Sequence, residues 1–296
     1  MNGALLGAGL VVLYTGLIAL ADAITKQIAH SYAAPQLFAL SGAVVVLLTL
    51  ATARWRGQGL ATARPKAMAL RAVMTVAAAV AFFQAFRHLP FAEVFLFIGL
   101  MPILAGLMSG PILGEHVRPA AWAALAAGFV GMFCLFPSGL HTASEGHAWA
   151  LGAAVSGTLS MVLARRIGQV ESNTLAQVFW PNLALCLGMA AALPFVWQPM
   201  PVADLALAGV YAVLLFGARW LTVVALRLLP AYTVTPLMNL QFVWMVALGA
   251  LVFGERPDWE MLLGVAIVIA SGSYLVWDRF APDAVRRLPG RFRTDP

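Results

Sequence analysis

Charge is scarce inside the apolar runs of this sequence, so each charged side chain there points to a piece of chemistry. Arg219 follows Tyr211 by eight residues and Leu215 by four, a spacing that puts a phenol and a guanidinium on one helical stripe. The planar donor fork of arginine suits the carboxylate of a small molecule; the alternative is a stem that runs toward the nearer polar boundary. Asp22 shares a helical face with Tyr14 and Ile18, and Glu93 shares one with Phe97 and Met101. Carboxylates so placed could meet an ammonium group or pass protons along a path. They also have bland partners: Lys26 one turn after Asp22, and Arg87 or water for Glu93.

Uncharged polar groups extend the set. Gln84, Asn182, Asn239 and Gln241 stand within otherwise apolar runs, where an amide must find a hydrogen-bond partner in a bound molecule, in water or on a neighbouring helix. Aromatic rings gather around two of them, with Phe82, Phe83 and Phe86 about Gln84 and Trp244 close to Gln241. Together with Trp180 they offer a wall suited to an apolar or aromatic side chain. Pro102, Pro111, Pro181 and Pro236 each remove a backbone donor inside a helical run and kink it. Pro102 and Pro236, with Asp22 and Glu93, are the candidates for coupling or gating. The binding candidates are Tyr14, Phe82, Phe83, Gln84, Phe97, Trp180, Asn182, Tyr211, Arg219, Asn239, Gln241 and Trp244.

Enzyme chemistry has no foothold in these patterns. The chain contains no H-E-x-x-H, G-x-S-x-G, P-loop or C-x-x-C sequence. Cys134 and Cys186 lack ligand-like spacing, and His30, His88, His116, His141 and His147 sit at helix ends or in loops. The expectation is therefore a non-enzyme with no cofactor and no metal.

The elements that must hold these residues follow from composition. With 62% hydrophobic and 10% charged residues and a mean hydropathy of +0.88, there is too little polar surface to coat a soluble globule. The net charge of +6 and pI near 9.9 do not come from runs of the kind that grip nucleic acid; the positive residues sit in loops and the tail. Ten stretches have bilayer-spanning length, near 5–25, 35–53, 67–87, 91–112, 119–136, 148–166, 174–194, 205–226, 231–253 and 260–277. The fold class is all-α and multi-pass.

The chain also repeats itself. Arg87, Leu89 and Pro90 recur 140 residues later as Arg227, Leu229 and Pro230, and Gly114 and Glu115 recur as Gly254 and Glu255. Five stretches per half is an odd number, so the second copy must run upside down relative to the first. Residues 1–140 form the first repeat, 141–278 the inverted second, and 279–296 a basic tail. Glu115 and Glu255 end their helices, where the helix dipole gives a carboxylate no help. Arg118 and Arg256 are their nearest compensating charges in sequence.

Orientation follows from Lys and Arg, which cytoplasmic loops retain. With the N-terminus inside, the inner segments hold Arg54, Arg56, Arg64, Lys66, Arg118, Arg165, Arg166, Arg227, Arg279, Arg286, Arg287, Arg291 and Arg293. The outer segments hold Lys26, Arg87 and Arg256, and Arg71 and Arg219 fall within helices. Both termini are expected in the cytoplasm. No cleavage site follows the first apolar run, which predicts no cleaved signal peptide.

At this level the sequence resembles the drug/metabolite transporter superfamily, EamA type. The likeness rests on the five-plus-five pattern, the starts at Pro90 and Pro230, and the Leu113-Gly114-Glu115 and Phe253-Gly254-Glu255 ends. Within it the chain is most similar to bacterial exporters of aromatic amino acids. The resemblance implies a central cavity walled by stretches 1, 3, 4, 6, 8 and 9, with 5 and 10 outside as scaffold. It implies a monomeric secondary exporter in a lipid bilayer, carrying amino acids by alternating access. Other metabolites or cationic drugs are the alternative cargo, and a passive channel the alternative mechanism.

Overall fold

The structure, a computed structural model, describes residues 2–29, 31–89, 91–115 and 144–252, with isolated positions between 119 and 130 and between 259 and 274. All regular structure in these segments is helical: α1 (Asn2–Ala29), α2 (Ala34–Arg56), α3 (Pro65–His88), α4 (Phe91–Leu113), α5 (Glu145–Gly168), α6 (Thr174–Ala190), α7 (Leu193–Val196), α8 (Val202–Leu228), α9 (Ala231–Met238) and α10 (Gln241–Val252). The expected stretches at 119–136 and 260–277 lie outside the continuously described residues, as do Arg118, Gly254, Glu255 and Arg256.

Local chemistry fixes the helix ends. Pro35 and Pro65 occupy first-turn positions, where a missing N–H is harmless. Gly57 closes α2 in the left-handed conformation at φ 62°, its N–H directed to the Ala53 and Arg54 carbonyls. Asn173 caps α6 by accepting the Ala176 N–H at 3.1 Å. Gly114 ends α4 at φ 70°, and the Glu115 N–H reaches back to the Ser109 carbonyl. That left-handed turn accounts for the glycine in the repeated Gly-Glu pair.

Five helices are long and apolar enough to cross a bilayer: Leu6–Thr25, Ala34–Arg56, Pro65–His88, Glu145–Gly168 and Val202–Leu228; Phe97–Leu113 and Thr174–Ala190 are shorter apolar segments. Their outward faces carry Leu13, Leu47, Val73, Leu187 and Val213 in exposed positions. Apolar exposure along whole helices fits lipid contact, because lipid can neither reward nor punish it as water does. The chain is a multi-pass membrane protein.

Contacts at the two ends of the bundle give each helix a direction. At one end lie the start of α1, the loops joining α2 to α3 and α5 to α6, and the ends of α4 and α8. There Glu171 accepts hydrogen bonds from Thr62 and the Ala63 amide, and Arg227 donates to the Ser172 carbonyl. Arg54, Arg56, Arg64, Lys66, Arg165, Arg166 and Arg227 all fall at this end. The opposite end brings Tyr32 onto Asp204 at 2.7 Å and Gln36 onto the Gln198 backbone. The Asp204 carboxylate that accepts from Tyr32 raises that phenol above its ordinary range. Thus α1 and α5 run in opposite senses, as do α2 and α6, α3 and α8, and α4 and α9.

Helix pairing is exchanged between the halves. α3 packs along α5 and α1 along α8; α4 packs on α5 and α1 on α9 and α10; α2 meets α6, and α4 meets α9. Leu89 and Leu229, offset by the repeat, each end a helix in extended backbone and donate their N–H to Ala85 and Ala225 at 2.8 Å. Each leucine then fits a glycine notch in the other half. A Cβ on Gly146 would lie 2.6 Å from Leu89 Cγ, and a Cβ on Gly7 would lie 2.9 Å from Leu229 Cγ. The notches therefore require glycine for its lack of volume.

Gly146→Ala should lower stability by about 1–3 kcal/mol through overpacking. Adding Leu89→Ala should return part of that loss, because the two side chains compete for one space. Thermal unfolding of the detergent-purified variants checks this; a Gly146→Ala protein that melts with the wild type would sink the interlock.

Candidate functional site

Two adjoining cavities lie between the halves. The first, of about 210 Å³, is walled by Phe82, Phe83 and Phe86 from α3, Phe38 from α2, and Tyr211 from α8. Phe38 meets Phe83 edge-on at 5.9 Å, and Phe82 stacks on Phe86 at 6.2 Å, the geometries that ring quadrupoles favour. Met101, Met161 and Met238 complete a soft apolar surface. Its polar groups are few: Tyr14, Asp22 and Thr25 from α1, Tyr211 and Arg219 from α8, and Gln241.

Gln241 reaches this cavity because its helix breaks. Pro236 can give no N–H to the turn before it, and the expected run from 231 to 253 separates into α9 and α10 at Asn239 and Leu240. Short i to i−3 bonds from Leu240 to Leu237 and from Phe242 to Asn239 carry the chain through. Irregular backbone at bilayer depth is tolerated where it is buried in protein or lines a cavity. Gln241 then opens α10 and donates from Nε2 to Asp22 Oδ2 at 2.5 Å. The Lys26 side chain, the alternative partner for Asp22, lies outside the described residues.

The second cavity, of about 220 Å³, adjoins the first on the side of the basic end and shares Tyr14, Met101, Met161 and Arg219 with it. It gathers more polar side chains than the first, among them Arg71 and Thr75 from α3, Ser160 from α5, and Gln177 and Asn182 from α6. Here Pro181 has a chemical role. Without an N–H it leaves the carbonyl four residues earlier, that of Gln177, without its helical donor, and Arg71 Nη1 donates to that carbonyl. Thr75 and Ser160 join their hydroxyls at 2.7 Å. Arg71 Nε, Asn182 Oδ1 and both amide atoms of Gln177 are buried with no hydrogen-bond partner among the described residues.

Of the residues singled out in the sequence, Tyr14, Asp22, Phe82, Phe83, Tyr211, Arg219 and Gln241 converge on the first cavity, and Asn182 lines the second. Phe97 packs in a neighbouring cluster with Phe82, Phe86, Leu89 and Val94. Trp180, 39% exposed, donates to the Leu60 carbonyl and pins the α2 to α3 loop. Trp244, 44% exposed, donates to Thr15 Oγ1 at 3.1 Å. Gln84 and Asn239 line neither cavity. Pro102 is buried within α4, and the side chains of Glu93 and Pro236 lie outside the described residues. Arg71 was not among the site candidates, although the repeat offers a signal: 140 residues on stands Tyr211, another cavity residue.

Glu115 has a partner far along the chain. Arg165 donates from Nε to its carboxylate at 2.7 Å and from Nη1 to the Leu226 and Leu229 carbonyls at 2.7 and 2.8 Å. A single guanidinium thus ties the end of α4 to the end of α8, where unsatisfied carbonyls attract cations.

Comparison with known proteins places these features in context. Residues 144–277 match the model of the EamA-like transporter family. A protein described as a riboflavin transporter, from Rhizobium johnstonii, is 30% identical over 173 residues, covering 55% of this chain and 54% of that protein. The chain thus spans about half the length of the curated relative it matches. One protein crystal structure superposes with a TM-score of 0.76 at 21% identity, covering 98% of this chain and 99% of the other. That is a likeness of fold.

Replacing Gln241 by Leu should destabilise the protein by about 1–3 kcal/mol, because it removes the donor that satisfies a half-buried carboxylate. The Asp22→Leu/Gln241→Leu double variant should be closer to wild type than Gln241→Leu alone. Denaturant titration in detergent reads both, and equal losses in the two would refute the pairing.

Proposed function

We propose that the chain is a secondary transporter that moves an aromatic small molecule, an aromatic amino acid first among candidates, through the cavity between two inverted five-helix repeats. The observation that carries this reading is the first cavity itself: four phenylalanines and two tyrosines around a space of small-molecule size, with a guanidinium and a carboxylate at its edges. The ring of the cargo lies against Phe82 and Phe83, with its carboxylate near Arg219.

Two inverted units, 1–140 and 141–278, are supported by the opposed senses of corresponding helices. They are also supported by the main helix pairings, which exchange between the halves: α3 with α5 as α8 with α1, α4 with α5 as α9 and α10 with α1, and α3 with α6 as α8 with α2. Such an arrangement supplies alternating access, because the two halves can rock about a site at their boundary. The broken ninth span, with Pro236 just before the break, is where that motion would bend. The gathering of arginines at one end supports a cytoplasmic face there, with export from that side across the bacterial inner membrane.

A second reading has its own observation. The relative described as a riboflavin transporter favours a larger planar heteroaromatic cargo, whose ring would use the same phenylalanines and whose tail would extend into the adjoining cavity.

Proteoliposomes loaded with labelled phenylalanine, tryptophan or riboflavin separate the readings. Saturable efflux of the amino acids is expected, and Arg219→Ala should reduce it by about 10- to 100-fold, the value of a charge-assisted hydrogen bond in a dry site. Saturable efflux of riboflavin alone would transfer the assignment to the flavin. Unsaturable flux would make the protein a channel, and an Arg219→Ala variant with normal rates would remove the arginine from the site.

A further inference from the structure

The polar cavity contains more hydrogen-bonding capacity than the protein uses. Arg71 is 9% exposed, and Gln177 and Asn182 are each 1% exposed. Burial this deep makes an unmade hydrogen bond expensive. Arg71 and Arg219 also lie within electrostatic reach of each other, and among the described residues neither is paired with a carboxylate. Two like charges facing one low-dielectric space are stabilised together only by an anion between them.

The unused groups are of two kinds. Arg71 Nε and the Arg219 guanidinium only donate, so they call for an oxyanion. Asn182 Oδ1 accepts, and it cannot exchange roles with its nitrogen, because Nδ2 already donates to the Val178 carbonyl at 2.7 Å. Gln177 Oε1 is a second acceptor. A bare carboxylate would satisfy the arginines and leave both amide oxygens without a donor. An ammonium alone would face two guanidinium charges.

We infer that the polar cavity is a head-group site for an α-amino or α-hydroxy acid, an oxyanion with an N–H or O–H donor on the adjacent carbon. The carboxylate lies between Arg71 and Arg219, and the α-substituent donates to Asn182 and Gln177. Arg219 belongs to the walls of both cavities, so one molecule spans them with its ring among the phenylalanines. The head group leaves Asp22 to its bond with Gln241. The inference rests on the aromatic-transporter reading for the position of the ring, and on the polar cavity alone for the head group.

Binding of six probes to the full chain in detergent, followed by isothermal titration calorimetry, tests it: L-phenylalanine, L-phenyllactate, 3-phenylpropionate, 2-phenylethylamine, L-alanine and L-lactate. The first two should bind at least 10-fold more tightly than the others. Arg71→Gln should weaken both by at least 10-fold, and Asn182→Leu should bring both down to the level of 3-phenylpropionate. Asn182→Leu decides the matter if Arg71→Gln does not fold, since the Asn182 side chain bonds only within its own helix. Phenylalanine binding that ignores both substitutions overturns the head-group site and leaves the aromatic reading standing. L-Lactate or L-alanine binding as tightly as L-phenylalanine, with the same sensitivity to both substitutions, keeps the head-group site and removes the aromatic reading. No binding by any probe overturns both.

Discussion

A guanidinium in the hydrocarbon layer can direct its donors only into the protein or into a molecule bound within it. Lipid supplies no acceptors, so every polar group buried in the bundle must be matched there. The architecture can be followed through those matches. Pro181 withholds a helical donor, the freed Gln177 carbonyl receives Arg71, and α3 is thereby joined to α6. Pro236 precedes the break that brings Gln241 to Asp22, joining α10 to α1. Arg165 ties the ends of α4 and α8 through one carboxylate and two carbonyls. Pro181, which reads as a kink in the sequence, acts here as the source of an acceptor.

Much of the helical architecture was legible in the sequence because span length and apolar content set it directly. The boundaries of α2, α3, α4 and α8 lie within a few residues of the expected stretches. The ninth stretch reads as one continuous helix by hydropathy, and the break at Asn239 and Leu240 is invisible to that measure, because it changes hydrogen bonding without changing composition. The seventh ends at Ala190 rather than near 194, with two turn residues before the short α7.

The candidate site was legible in part and for a clear reason. Tyr14 with Asp22, and Tyr211 with Arg219, were found by helical spacing, which holds within any one helix. Trp180 and Trp244 have the right chemistry but sit on the outer surface, and nothing in residue type tells an inward ring from an outward one. Arg71 escaped because its meaning depends on a proline about 110 positions away, across a helix interface. The polar cavity is a tertiary object, assembled from α3, α5, α6 and α8, and no local pattern encodes it. The cavities are where the two sequence halves differ: Ala79 and Arg219 are counterparts at the 140-residue offset and share one cavity, as Arg71 and Tyr211 are counterparts in adjoining ones.

The leucine and glycine contacts limit which substitutions the chain can accept one at a time. A larger residue at Gly7 has to be answered by a smaller one at Leu229, and one at Gly146 by a change at Leu89. Each of these pairs draws one member from each half. The two halves are therefore tied to each other at these two contacts, and a change of side-chain volume on one side is felt directly on the other.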